Sequence, residues 1–287
     1  MAVRVLLIAG LGHSGSTLLG ALLGQLDGFF FVGELKSTAR AFEGGQRCGC
    51  GEPLSECPTW RGILAAAFGD RGSVSELQFD NSSARALGIL RQHRSGTHPC
   101  AGAFAAVFRA IAETTGSRVV VDSSKWPGYA YFLGGLENAD LALVHLVRDP
   151  RGVAHSRRKH TARLGEPGLG PARSAMQWNV WNPVVEALGR RVAYLRLRYE
   201  DFVNAPEDAV RKIAALVGEA PLRLPFSAIG EARLEPTHSV TGNRTRFDTG
   251  TVPIELDDGW RLEGASNGTV GALTWPLRLR CGYRTRP

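Results

Sequence analysis

The sequence predicts an α/β fold: a three-layer open parallel sheet flanked by helices, in a single domain over residues 1–287. Three observations predict it. Short apolar runs recur with room for a helix between successive runs. The runs are continuous rather than alternating, as in strands buried on both faces. The first run ends in a glycine-rich turn that leads directly into an apolar helical stretch, the layout of a phosphate cradle.

The elements follow in order. Val3–Ala9 is the first strand, closed by a turn containing Gly10, Gly12 and Gly15. Ser16–Leu26 has helical character, and Phe29–Val32 is a short second strand. Residues 40–100 are rich in Gly, Ser and Cys and predict irregular structure. Ala101–Thr115 predicts a helix, and Arg118–Val121 and Leu141–Val147 predict strands. Arg151–His160 predicts a helix, with Asp149 as its cap and Pro150 in its first turn. Residues 164–171, Leu-Gly-Glu-Pro-Gly-Leu-Gly-Pro, predict a loop able to move as a lid. Ser174–Leu188 and Pro206–Val217 predict helices on either side of a strand at Val192–Leu197, and residues 230–270 are polar and turn-rich. With no repeat and no long linker, the irregular stretches near 40–100 and 160–175 read as insertions in one domain.

Composition narrows the classes. The chain has 287 residues, 44% of them apolar, enough for a substantial core. Its net charge of +7 suits an anionic ligand. Nearly all the basic residues are arginine, which weakens charge as a functional argument. Arg278, Arg280, Arg284 and Arg286 crowd the C-terminus, where they are expected to be solvated. No nucleic-acid motif accompanies them, so no nucleic-acid partner is expected. There is no run of 18 apolar residues and no cleavable leader, so the chain is expected to be cytoplasmic, without a membrane partner. Five cysteines are present, three of them as Cys48-Gly-Cys50…Cys57. His93, His98 and Cys100 are candidates to complete a metal site, but the spacing fits no standard zinc pattern. Free thiols in a tight loop are expected, with one local disulfide the next alternative.

The turn at residues 10–17 fits two templates. As Gly-x-Gly-x-x-Gly it matches a dinucleotide fingerprint, with Glu34 near the place of the ribose-binding acid. As Gly-x-x-x-x-Gly followed by Ser16-Thr17 it matches a P-loop without its lysine. A second segment bears on the choice. The strand Leu141–Val147 delivers Arg148-Asp149-Pro150 to its carboxyl end, where open α/β sheets bind ligands. Ser156 lies two turns into the following helix. A guanidinium fork and a hydroxyl suit a second phosphate. The plain alternative is a capped helix with a surface arginine.

With these residues in order, the chain resembles the bacterial members of the sulfotransferase family that uses 3′-phosphoadenylyl sulfate, which has a P-loop NTPase-like fold. That family pairs a lysine-less P-loop with an Arg and a Ser eight positions apart, as Arg148 and Ser156 are. Arg198-Tyr-Glu-Asp-Phe…Pro206 and the late segment His238-Ser-Val-Thr-Gly-Asn-Arg244-Thr-Arg246 also resemble its motifs, as does Asp122-Ser-Ser-Lys125 after the third strand. The resemblance implies a sulfuryl transfer from 3′-phosphoadenylyl sulfate, as co-substrate, to a hydroxyl or amine of a small-molecule or carbohydrate acceptor. Alternatives are a P-loop nucleotide kinase and a Rossmann-type oxidoreductase using NAD(P).

The resemblance also implies roles. His13, Ser14, Gly15, Ser16 and Thr17 would cradle the 5′-phosphosulfate, Arg148 and Ser156 the 3′-phosphate, and Gly242, Asn243 and Arg244 would close over the nucleotide. Sulfuryl transfer resembles phosphoryl transfer, in which positioning and electrostatics dominate. A cation should bridge to the transferring group, and His13 and Lys125 are the candidates. A sulfuryl group carries less charge than a terminal phosphoryl, so no metal is expected to be required. Glu34 is the expected base if burial raises its pKa, with His13 as its competitor. The plain alternatives are a Glu34 exposed and paired with Lys36, a His13 that merely lines the cradle, and a surface Lys125. Asp122 reads as structural. Trp126 and Trp178 are candidates to stack on adenine or acceptor, though aromatic residues more often fill cores.

Overall fold

In the computed structural model, which describes residues 2–69, 73–79, 98–262 and 265–283, the strand that ends in the glycine turn is central. It is β1 (Val3–Gly10), flanked by β3 (Val119–Lys125) and β4 (Ala139–Val147). β2 (Phe29–Gly33) pairs outside β3 and β5 (Ala193–Arg198) outside β4, giving the order β2-β3-β1-β4-β5, all parallel.

Period-two alternation divides β1 between two cores. Val5, Leu7 and Ala9 face one apolar cluster with Trp60, Phe104, Phe108 and Tyr129. Leu6 and Ile8 face the other, with Leu19, Leu22, Phe202 and Ile213. Val5 through Ile8 are fully buried, each worth about 1.5–3 kcal/mol of burial. The first cluster is covered by helices Pro58–Phe68, Ala101–Thr115, Pro127–Leu133 and Pro171–Gly189. The second is covered by Ser16–Leu23, Tyr199–Asn204 and Pro206–Leu216. This is the three-layer α/β architecture expected from the continuous apolar runs.

The strand order removes the dinucleotide reading of the turn. In a doubly wound dinucleotide fold the second strand lies beside the first. Here β3 is inserted between them, so Glu34 ends an outer strand rather than the neighbour of β1. Parallel pairing instead gathers the carboxyl ends of all five strands along one edge. Gly10, Glu34, Lys125, Arg148 and Tyr199 each end or directly follow one of them.

Several elements differ from the sequence reading. The stretch expected to be irregular contains helix Thr38–Glu43, which overlaps its start, and helix Pro58–Phe68, headed by a proline. Residues 70–72 and 80–97, with His93, lie outside the described residues. The turn-rich stretch forms, with the residues before it, a small antiparallel sheet of β6 (Phe226–Ala228), β7 (Glu231–Leu234) and β8 (Gly250–Pro253). Of the C-terminal arginines, Arg278 and Arg280 lie at the end of helix Ala265–Arg280, where Arg280 is exposed as expected and Arg278 is not. Arg278 is buried, and Arg280 pairs with Glu186. Arg284 and Arg286 lie outside the described residues. Among the described residues no helix is long and apolar enough to cross a membrane.

Candidate functional site

The cradle is a turn with two left-handed residues. His13 has φ 69° and Gly15 φ 86°. A Cβ on Gly15 would sit 2.7 Å from the Tyr199 ring, so only glycine fits there. Gly15 is the N-cap of helix Ser16–Leu23 and makes no side-chain cap, which leaves the first N–H groups for another acceptor. Ser14, Ser16 and Thr17 are buried.

Arg148 joins this turn from β4. Its guanidinium donates to the His13 carbonyl at 2.9 Å and to the Asp257 carbonyl at 2.5 Å, and pairs with the Asp257 carboxylate at 3.0 Å. It stacks on Tyr199 at 4.4 Å. The helix behind it begins as expected: Asp149 caps the Arg151 N–H, and Pro150 occupies the first turn. The Arg148 side chain packs against Gly152, where a Cβ would meet Nε at 3.0 Å. Ser156 lies one turn further on the same helical face. Two buried atoms at this junction, Ser14 Oγ and Arg148 Nε, have no partner among the described residues. Such atoms cost about 1–3 kcal/mol each unless a ligand pairs them.

Across the cradle, Lys125 and Glu34 form an ion pair at 2.5 Å. The plain alternatives of a surface Lys125 and of an exposed Glu34 paired with Lys36 are therefore not what the structure has: both side chains are largely buried and they pair with each other. Lys125 has φ 61°, a strained backbone setting for a non-glycine residue, and from it the side chain reaches Glu34. Its strand end is fixed by fully buried Asp122, which accepts from Ser124 N at 2.7 Å and from the Tyr129 hydroxyl at 2.9 Å. Burial lifts the Asp122 carboxyl to a pKa of about 6 despite these bonds. Asp122 is structural, as read from the sequence. Trp178 is also structural: it is fully buried and donates to the Arg148 carbonyl. Trp126 packs edge-on to Trp181, with Lys36 over its ring.

Two electrostatic expectations are corrected. Burial alone would raise the Glu34 carboxyl, but the charge and hydrogen bond of Lys125, helped by Lys36 and Arg246, outweigh it and hold the pKa below its ordinary value. His13 is one of the two candidate cations. Burial first, then the charges of Arg157, His160, Lys125 and Arg148, lower its pKa to about 4, so it is neutral at pH 7.

The late loop reaches the same place. Asn243 N–H donates to Thr17 Oγ1 at 3.3 Å, and the Thr241 carbonyl accepts from Glu34 N–H at 3.3 Å. Gly242 lies against Thr17. The Asn243 side chain caps the short turn Arg244–Phe247. Arg244 is exposed, whereas Arg246 is buried and donates to the carbonyls of Ser239, Val240 and Arg47.

Sequence reasoning missed Tyr199, Asp257 and Arg157. Tyr199 was visible only as part of a longer motif. Asp257 carries no local signal, because its meaning is a contact with a residue far away in the chain. Arg157 directly follows Ser156 and is one of the charges that keep His13 neutral.

The family model described as the sulfotransferase family matches residues 6–221. Among solved structures, the chain is similar to the sulfotransferase domain of the olefin synthase of Synechococcus PCC 7002, at 20% identity and TM-score 0.57, covering 96% of this chain and 94% of that one. It is also similar to the sulfotransferase domain from the curacin biosynthetic pathway, at 15% identity and TM-score 0.55, covering 100% of this chain and 99% of that one. At these identities the likeness is one of fold. Among curated proteins none matches the chain.

Proposed function

The chain belongs to the sulfotransferase family, and on that premise we propose that it moves a sulfuryl group from 3′-phosphoadenylyl sulfate to a hydroxyl, or an amine, of a small-molecule or carbohydrate acceptor. The observation that carries this reading is the Arg148 junction. One buried guanidinium bridges β4 and the cradle, and its own Nε and the Ser14 Oγ of the cradle are buried without partners among the described residues. A nucleotide with anions at both its 5′ and 3′ positions matches two such adjoining anion sites better than a nucleotide with one.

The cradle N–H groups of Gly15, Ser16 and Thr17 would hold the 5′-phosphate, with Ser14 beside them. Arg148 and Ser156 would hold the 3′-phosphate, and Gly242, Asn243 and Arg244 would lie over the nucleotide. In the transfer, the bond from sulfur to the phosphate oxygen breaks as a bond to the acceptor oxygen or nitrogen forms. The leaving oxygen gains charge, which helix and cradle dipoles stabilise without a metal. Lys125 is the cation placed to meet the sulfuryl oxygens. Neutral His13 contributes as a hydrogen-bonding group of the turn.

Glu34 would take the acceptor's proton, and its pairing with Lys125 gives the base a control. While Lys125 is paired with it, Glu34 is ionised but weakly basic. A sulfuryl donor that draws Lys125 toward its own oxygens leaves Glu34 buried with less compensation, which raises its basicity as the donor arrives. A cleft of about 460 Å³ is lined by Lys36, Ser37, Arg40, Glu43 and Gln78 among others, and its lining begins two residues along the chain from Glu34. Its polar lining suits a hydroxylic acceptor.

Isothermal titration tests the reading. Adenosine 3′,5′-bisphosphate should bind about tenfold or more tightly than adenosine 5′-monophosphate, because the second phosphate gains a charge-assisted site. Equal affinity for the two, or magnesium-dependent turnover of ATP, overturns the donor assignment. A screen of acceptors with sulfur-labelled donor then identifies the acceptor.

A further inference from the structure

Cys48, Cys50, Cys57 and His238 bring their ligating atoms within 4.8 Å of one another. His238 Nδ1 lies 3.4 Å from Cys57 Sγ and 3.7 Å from Cys48 Sγ, and Cys50 Sγ lies 3.8 Å from Cys57 Sγ. These three separations have the lengths of edges of a small tetrahedron. Zn–S bonds near 2.3 Å and a Zn–N bond near 2.0–2.1 Å at tetrahedral angles place sulfurs about 3.8 Å apart and sulfur and nitrogen about 3.6 Å apart. The cysteines are free thiols. The geometry points to a structural zinc ion held by Cys48, Cys50, Cys57 and His238.

The surroundings are built for such a site. Cys48 N–H donates to the Glu52 carbonyl at 2.7 Å and Gly51 N–H to the Cys48 carbonyl at 2.8 Å, which folds the first two cysteines into a tight turn closed by the bridge Arg47–Pro53. Gly49, between them, lets the later loop approach: a Cβ there would sit 2.5 Å from Ser239 Oγ. Cys57 is the N-cap of helix Pro58–Phe68, and its side chain makes no capping bond there. Thr59 Oγ1 lies 3.2 Å from His238 Nε2. If that nitrogen carries the proton and donates it to the hydroxyl, the Nδ1 lone pair faces the sulfurs. Trp60 Nε1 donates to the His238 carbonyl at 2.7 Å and fixes the backbone on which the ring is mounted.

Three thiolates and one imidazole form a soft, closed set that selects zinc over magnesium or calcium. Binding forms three Zn–S bonds and one Zn–N bond and releases the thiol protons to solvent. All four positions are protein ligands, so none is open for catalysis. The ion would act as a pin. His238 follows Cys57 by 181 residues and begins the loop that touches Thr17 and Glu34. The metal would therefore fasten the cysteine turn to the loop over the cradle, closing a long segment of chain. The fourth ligand is too distant for the sequence spacing to show it. His98 and Cys100, considered there as ligands, bond to each other at 2.9 Å.

Elemental analysis of the full chain, purified under reducing conditions without chelator, should give about one zinc per chain and no stoichiometric iron or copper. Zinc release from this unmodified chain should track mercurial titration of its thiols. Cobalt(II) substitution should give the intense ligand-field bands of a tetrahedral thiolate site. Cys57→Ser and His238→Ala should lower zinc affinity about 100-fold or more, while Cys100→Ser and Cys281→Ser keep full stoichiometry. Thr59→Val should weaken zinc binding about 10–100-fold. A reduced chain that takes up no zinc on dialysis, stoichiometric iron or copper in its place, or a disulfide among Cys48, Cys50 and Cys57 in freshly purified protein overturns the assignment.

Discussion

Arg148 Nη1 donates to the backbone carbonyl of His13 at 2.9 Å, so one buried guanidinium ties the end of β4 to the turn after β1. If the 3′-phosphate binds here, Arg148→Ala should weaken adenosine 3′,5′-bisphosphate binding by about 100-fold, since each charge-assisted bond is worth about 1.5–3 kcal/mol. Arg148→Lys should recover only part of this, because a point charge cannot hold the carbonyl and an anion with one planar fork. Titration calorimetry reads both. Binding by Arg148→Ala equal to that of the parent removes the clamp.

Asp257 holds the other side of the same guanidinium with its carbonyl and its carboxylate. A dianion arriving at Arg148 meets this negative charge. Asp257→Asn keeps the carbonyl bond and removes the repulsion, so bisphosphate affinity should rise about threefold to tenfold, most at low ionic strength where screening is weak. Unchanged affinity across salt concentrations would place the 3′-phosphate away from Arg148.

The Glu34–Lys125 pair makes a prediction about pH. Glu34→Gln should lower kcat by about 10²–10⁴-fold and leave bisphosphate affinity near that of the parent. The parent's kcat/KM should hold as pH falls through 6 and 5, because in the free enzyme Lys125 keeps the Glu34 carboxyl below the ordinary carboxylate value. The same depressed pKa contributes stability above the unfolded value, and that contribution is lost as pH falls through the folded one. Lys125→Met removes the largest offset to burial and leaves only Lys36 and Arg246, so the acid limb of its residual kcat/KM should move to higher pH. An acid limb at the same pH in both proteins means that Glu34 is not the base.

How much of this was legible depends on how local the signal is. β1, β3 and β4 are continuous apolar runs because both faces are buried, and the sequence marks them plainly. The Asp149 cap and Pro150 announce their helix within three residues. β6, β7 and β8 have three or four residues each, too few for alternation to register. Helix Ala265–Arg280 was hidden by Pro276 inside it. At the site, the cradle, Arg148 and Glu34 stood out because each follows a strand. Lys125 stood out too, but its pairing with Glu34 did not, because the pairing depends on the left-handed backbone at Lys125, which no residue preference signals. Asp257 and His238 act only through contacts made across the fold.

The glycines of the turn provide the sharpest test of which template it follows. A dinucleotide turn needs its second glycine so that the backbone can approach a pyrophosphate. Here that position is Gly12, where a Cβ would meet nothing within 4 Å. Gly10 is different: its φ is 141°, and a Cβ there would lie 2.3 Å from the Leu146 carbonyl oxygen on the neighbouring strand. That oxygen is backbone at the centre of the sheet and cannot move aside. Gly10→Ala should therefore destabilise the chain by about 2–4 kcal/mol, read as a lower urea midpoint. Gly12→Ala should change stability by less than about 0.5 kcal/mol and leave bisphosphate binding within about twofold of the parent. If Gly12→Ala abolishes nucleotide binding while the fold is intact, the ligand lies along the turn as a dinucleotide would, and the cradle at Ser14–Thr17 is not where its phosphates are held.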